Sequence, residues 1–173
     1  MLCNFTIRKL NSNDSTEFFS FRLTALQASP LNFLSSYEEE KYQGINLFHN
    51  QLSIENESNV IFGAFINEKL IGSAGLFQEN KQKLMHRCNI WGMHVDSNYR
   101  QRGIGKALIE TTIQYAKKQL KCQIINLTVT ATNLSAIKLY ESYGFKTWGI
   151  EPKAMQVDSI FYDELHMSLI IEN

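Results

Sequence analysis

Val95-Asp96-Ser97-Asn98-Tyr99-Arg100-Gln101-Arg102-Gly103-Ile104-Gly105-Lys106-Ala107-Leu108 joins an apolar strand pattern to a long helical one through a basic turn with two glycines. The first N–H groups of a helix have no partners inside it, and the helix dipole adds partial positive charge at the same end. Phosphate is the natural occupant of such a point. Two familiar phosphate loops fail here. The dinucleotide pattern G-x-G-x-x-G needs a third glycine where Leu108 stands. The nucleoside-triphosphate loop G-x-x-x-x-G-K-[ST] needs glycine at Arg100 and a hydroxyl at Ala107. What remains is Arg100-x-x-Gly103-x-Gly105 at the mouth of a helix. By itself this pattern is also compatible with a turn whose glycines only allow close helix–strand packing.

Working outward, the helix from Gly103 to about Gln119 repeats Ile109, Ile113, Ala116 and Leu120 at helical spacing. Cys88 to Val95 before it and Gln123 to Val129 after it read as strands, which makes a strand–helix–strand unit. Asn59–Ile66 and Leu70–Phe77, joined by Asn67-Glu68-Lys69, read as an antiparallel hairpin. Phe5–Leu10 alternates as a first strand. A helix follows from the capping residues Asn13-Asp14-Ser15 to about Ala28, ended by Pro30. A second helix is expected from Ser35-Ser36 to Leu47 or Leu52. Near the C-terminus, Ala136, Leu139, Tyr140 and Tyr143 mark a short helix that Gly144 can end. Phe145–Ile150 and Ile160–Ile171 supply the last strands. The order is strand, two helices, three strands, helix, strand, helix, two strands. It predicts an α/β (α+β) fold with a mixed sheet of about seven strands flanked by helices.

The 173 residues, with 44% hydrophobic and 20% charged, suit one folded domain spanning 1–173. Seventeen basic residues balance seventeen acidic ones, which argues against sequence-independent nucleic-acid binding. Arg100, Arg102 and Lys106 nevertheless form a local basic patch. No apolar run reaches the length of a membrane span, and the first residues lack a signal-peptide pattern. A cytoplasmic protein without membrane attachment is expected. Cys3, Cys88 and Cys122 are odd in number and widely spaced, so three free thiols and no metal site are expected.

A second motif lies downstream: Asn133-x-x-Ala136-x-x-x-Tyr140-x-x-x-Gly144-Phe145. With these two motifs in this order, the chain resembles the GNAT superfamily of N-acetyltransferases, and the strand and helix order matches that family nearly end to end. The resemblance implies the family's fold, with the sheet splayed between its fourth and fifth strands. It implies acetyl-coenzyme A as co-substrate, with no metal. Backbone N–H groups from Gln101 through Lys106 (Gln101, Arg102, Gly103, Ile104, Gly105, Lys106, preceded by Arg100) would hold the pyrophosphate. Backbone groups of Met93 and Val95 would meet the pantetheine arm and the acetyl carbonyl, where an N–H stabilises a developing oxyanion. Asn133 would lie on the pantetheine, and Tyr140 near the sulfur would protonate the departing thiolate. The alternatives are a helix cap for Asn133 and a core aromatic for Tyr140.

The base that deprotonates the acceptor amine is left open. His94 has a suitable ordinary pKa, yet strand alternation points it away from Met93 and Val95. Glu39 or Glu40 could act through water, and bulk water could serve instead. The acceptor side is expected in the first two helices and in Pro152–Phe161. There Phe18, Phe19, Phe21, Phe33 and Tyr37 could hold a cationic amine or simply pack. The acceptor is therefore a small-molecule, amino-acid, polyamine or peptide N-terminal amine, and a homodimer is possible. A non-catalytic acyl-coenzyme A sensor or scaffold of the same fold is the alternative function.

Overall fold

The computed structural model describes residues 4–53 and 57–171. Among them, seven strands form one sheet and five α-helices flank it. In chain order the elements are β1 (Thr6–Lys9), α1 (Ser15–Ala28), α2 (Tyr37–Gln43), α3 (Ile45–Ser53), β2 (Asn59–Ile66), β3 (Lys69–Gln78), β4 (Arg87–Val95), α4 (Ile104–Lys118), β5 (Ile124–Thr130), α5 (Leu134–Ser142), β6 (Lys146–Val157) and β7 (Ile160–Ile170). The sheet order is β1-β2-β3-β4-β5-β7-β6, antiparallel throughout except for the parallel pair β4–β5.

Period-two alternation decides which core each strand feeds. In β2, Val60, Phe62 and Ala64 pack on the α4 side. Ile61 and Phe65 face α1 and α3, where Phe18 and Phe48 meet edge to face at 4.9 Å. On α4, Ile104, Leu108, Ile109 and Ala116 are all buried against the sheet. Each such aliphatic side chain contributes about 1.5–3 kcal/mol when removed from water. The helix that the sandwiched motif predicts is thus anchored along its inner face, and its N-terminus is held at the end of β4.

Four expectations need correction. The helix expected from Ser36 to Leu47 or Leu52 is two helices, because Gly44 takes φ +73° and its N–H bonds Glu40 O at 3.1 Å, ending α2. The strand expected to stop at Ile150 runs on through Pro152 to Val157. The ring is tolerated because β6 is an edge strand, where a missing N–H costs no ladder bond, and the register shifts between Glu151 and Met155. Pro152–Phe161 is therefore mostly hairpin, turning at Asp158-Ser159 with both φ positive. It contributes no residue to either cavity described below. Finally, Cys88 and Cys122 are joined as a disulfide and both are buried, so three free thiols is wrong for these two. Cys3 lies outside the described residues.

Candidate active site

β4 and β5 pair at only three positions, Arg87↔Ile124, Cys88↔Ile125 and Asn89↔Asn126. Beyond them β4 follows β3 and β5 follows β7, so a wedge opens between two strands that began as neighbours. Asn126 sits at the apex, buried, with its amide nitrogen 3.5 Å from Cys88 O and its oxygen accepting from Ser168 Oγ at 2.7 Å. Gly92 bends the β4 wall. It takes φ +59°, and three steps of β4 (Trp91 to His94) span two steps of β3 (Gly75 to Ser73), a glycine bulge. The extra residue reverses the parity of the strand. Cys88 and Ile90 face α4, and after the bulge Met93 and Val95 do so, while His94 faces α1. Asp96 N donates to Ile71 O at 2.9 Å, so the alternation of an antiparallel ladder turns the N–H groups of Val95 and Met93 away from β3, toward the wedge.

A cleft of about 890 Å³ runs from this wedge to the start of α4. Met93, Val95, Arg100, Gln101, Gly103, Ile104, Gly105, Lys106, Asn133 and Tyr140, all expected at a coenzyme site, line it. Gly103 caps α4 in the left-handed conformation (φ +83°) without a side-chain cap, so the first amides of the helix remain available to a ligand. A Cβ on Gly105 would lie 3.5–3.9 Å from Leu139, Met93 and Val95 side chains, on the cleft floor. Arg100 is held over the end of β4 by its Nε–Val95 O bond of 3.1 Å. Arg102, expected to offer its backbone N–H, turns its side chain back to donate to Asn98 O at 3.1 Å and lies over Tyr99.

Asn133 is the helix cap that its sequence position allowed, and it also lines the cleft. Its Oδ1 accepts from Ala136 N at 3.2 Å, capping α5, and its Nδ2 donates to Asn32 Oδ1 at 3.0 Å. Tyr140, two turns along α5, is buried, and its hydroxyl donates to Met93 Sδ at 3.6 Å. Burial pushes this phenol up to about 12, so it stays protonated across the working pH range.

Past Tyr140 and Met93 a second cavity of about 210 Å³ continues between β4 and β5. The segment between α1 and α2 closes it from above. Thr130 Oγ1 donates to Leu31 O, and Asn32 reaches Asn133. Two charged side chains line this cavity. Arg22, from α1, is 6% exposed; its Nε and Nη2 grip both carboxylate oxygens of the buried Glu40 at 2.7–3.1 Å, and its ring-facing carbon lies 4.3 Å over Phe33. Its Nη1 has no hydrogen-bond partner among the described residues and lies 3.4 Å from the Cβ position of Gly92. Glu164, from β7, is 7% exposed; burial raises its carboxyl above the usual range, and nearby Glu151 adds to this, while His166 and a hydrogen bond from Thr128 oppose it.

The base candidates read from the sequence fare differently. His94 is buried between Phe21 and Phe33, each ring 5.7 Å away, on the face opposite Met93 and Val95. Burial, with Arg100 and Arg22 nearby, lowers it to about 4, so it is neutral and weakly basic at neutral pH. Glu39 closes the capping box of α2 with Ser36 and is exposed. Glu40 is committed to Arg22. Phe18 and Phe19 pack against α3 and only Phe33 of the five aromatics lines the acceptor-side cavity. Sequence reading missed Arg22 and Glu164. Glu164 sits among alternating polar and apolar residues of the last strand with no local pattern to mark it. Arg22 carried a signal, a lone arginine among the apolar positions Phe18, Phe21 and Ala25 of α1.

No helix among the described residues is long and apolar enough to cross a membrane, and no three metal-binding side chains gather there. Residues 22–145 match the model of the acetyltransferase (GNAT) family. N-alpha-acetyltransferase 30 of Xenopus laevis is 28% identical over 134 residues, covering 78% of this chain and 48% of that protein. The L-amino acid N-acetyltransferase AaaT of Escherichia coli (strain K12) is 28% identical over 107 residues, covering 62% of this chain and 65% of that protein. The chain spans about half or less of the length of the first curated relatives it matches. The Salmonella typhimurium protein yncA, solved with its cofactor acetyl-CoA, superposes with a TM-score of 0.82 at 14% identity, over 98% of this chain and 95% of that one.

Proposed function

The chain belongs to the GNAT family of acetyltransferases, and from that premise we propose that it transfers an acetyl group from acetyl-coenzyme A to a primary amine by direct attack in a ternary complex. The observation that carries this reading is the continuity of the two cavities. The cleft from the α4 N-terminus and the cavity between β4 and β5 share Met93, Asn133, Ala136 and Tyr140, so two reactants entering from opposite ends meet beside the Tyr140 hydroxyl. The named relatives act on protein N-termini and amino acids, and a further one is a probable spermine acetyltransferase, so the acceptor is an amine in each.

The residues present fit acetyl-coenzyme A. Uncapped amides from Gln101 to Lys106 and the Lys106 charge would hold the diphosphate, and the glycine at 105 leaves room there that a longer side chain would fill. Backbone N–H groups of Met93 and Val95 would pair with the pantetheine and the acetyl oxygen, and Asn133 would border the arm. The coenzyme supplies a thioester carbonyl that an amine nitrogen attacks as the C–S bond breaks. An N–H of β4 placed at that oxygen stabilises the charge that builds there. Tyr140 donates its hydrogen bond to the departing sulfur. Because burial keeps it protonated, the phenol remains a hydrogen-bond donor to the negative charge that develops on that sulfur.

Glu164 accepts the proton of the amine, directly or through one water. Its raised pKa makes it a stronger base than an ordinary carboxylate. Substituting Glu164→Gln lowers kcat/KM by about 100-fold. It also removes the rise of kcat/KM with pH that accompanies deprotonation of this carboxyl, since only the ionised form accepts a proton. A pH–rate profile of both proteins checks this; an unchanged acid limb in the variant excludes Glu164 as the base.

The test of the function is a broad amine panel with acetyl-coenzyme A, followed by release of free thiol. Turnover of at least one amine supports transfer. Tight coenzyme binding with no thiol released from any amine supports instead the sensor or scaffold alternative.

A further inference from the structure

Arg22 is an arginine divided in two. One edge of its guanidinium is spent on Glu40, and the other, Nη1, is buried without a partner against the wall that Gly92 leaves bare. A buried cationic donor without an acceptor is costly, because desolvation is uncompensated. Here Arg22 lines, together with Glu164 from β7, the cavity that opens onto Tyr140 and Met93. An acceptor amine placed at that opening has a carboxylate at one side and guanidinium donors at another.

We propose that the acceptor carries a carboxylate close to its amine, bound by Arg22 Nη1, so that the enzyme selects free amino acids over simple amines and polyamines. This rests on the acetyltransfer reading above and narrows its substrate class. Glu40 belongs to the same device. By occupying the Nε–Nη2 edge in bidentate fashion it fixes the plane of the guanidinium and leaves Nη1 to seek another acceptor. The face of Gly92 matters equally. A Cβ there would stand 3.4 Å from Nη1. Charge also argues against a polycation, because Glu164 matches a single ammonium group and no further carboxylate lines the cavity among the described residues.

The experiment compares neutral L-amino acids, their α-amides and spermine as acceptors at saturating acetyl-coenzyme A. Because amidation also lowers the basicity of the amine, binding is measured separately. N-acetylated amino acids and N-acetylated amino-acid amides, which have no titrating amine, are titrated calorimetrically into the protein in the presence of coenzyme A. The acids exceed the amides by about 10- to 100-fold in both readouts, the range for one charge-assisted hydrogen-bonded contact. Arg22→Lys keeps a positive charge beside Glu40 but cannot serve two carboxylates. It reduces the acid-to-amide ratio to within about threefold, with the loss in KM rather than kcat, while affinity for acetyl-coenzyme A is unchanged. Should that variant melt early, the paired Arg22→Gln/Glu40→Gln protein, which keeps a neutral hydrogen-bonded couple, takes its place. Amides or spermine that equal the acids, or a ratio untouched by either variant, overturns the inference and leaves acetyltransfer standing. Failure of acetyl-coenzyme A itself to bind overturns the earlier reading instead.

Discussion

Gly105→Glu leaves the protein folded and lowers its affinity for acetyl-coenzyme A by 100-fold or more, on the order of 3 kcal/mol. The two halves of this expectation come from different contacts. A Cβ at position 105 meets Leu139, Met93 and Val95 at ordinary van der Waals distances, so nothing in the fold must shift. Glutamate in the first turn is also a better helix residue than glycine and complements the dipole, together worth roughly 1 kcal/mol of stability. Its carboxylate, however, occupies the floor of the cleft where a diphosphate would sit. At about 4 Å and an intermediate dielectric the repulsion is about 4 kcal/mol. Calorimetric titration and thermal melting on the same sample check both halves. Reduced binding with an unchanged or higher Tm is the expected pair of results; intact binding removes the diphosphate from this turn.

Tyr140→Phe lowers kcat by about 100-fold or more, with coenzyme affinity within about twofold of the parent, since general acid catalysis supplies effects of this size. The substitution is a clean one structurally. The ring packs against Phe145 at 5.9 Å and stays buried, and the hydroxyl gives up only a weak bond to Met93 Sδ at 3.6 Å. With a pKa of about 12 the phenol is a donor at every practical pH, so the parent shows no loss of activity from its ionisation up to about pH 11. Stopped-flow thiol release at saturating substrates checks the rate. A kcat unchanged by the loss of the hydroxyl would assign Tyr140 to packing alone.

The residues that were legible in the chain are those that act close together along it. Arg100 to Lys106 form one turn, and Asn133 and Tyr140 lie two helical turns apart, so spacing groups each set, while the resemblance to the GNAT superfamily joined the two. The order of elements along the chain was legible for a similar reason, because runs such as Val60–Ile66 carry a local strand pattern, whereas the placing of β7 between β5 and β6 was not. What spacing could not give is assembled from distant parts. Arg22 and Glu164 are 142 positions apart and meet only because α1 and β7 flank the same wedge. The Cys88–Cys122 pair closes across the β4–α4–β5 unit at a separation of 34 residues, a contact set by the parallel pairing of β4 with β5. Strand alternation placed His94 on the face away from Met93 and Val95, and that is where it lies. What it could not supply was the pair of phenylalanines that exclude water there and hold the ring neutral. Gly44 and Gly92 show the limit from the other side. Each is a single residue whose positive φ redirects the chain, ending a helix in one case and reversing strand parity in the other.

These pieces depend on one premise, that the α4 N-terminus and the β4–β5 wedge together receive a coenzyme. The most direct measurement is a titration of isotopically labelled protein with acetyl-coenzyme A, followed through its backbone amide resonances. Saturable one-to-one binding is expected, with the largest shifts at Gln101 to Lys106 and at Met93 and Val95. An absence of shifts at high micromolar ligand, or shifts confined to residues away from that turn and strand, would contradict it.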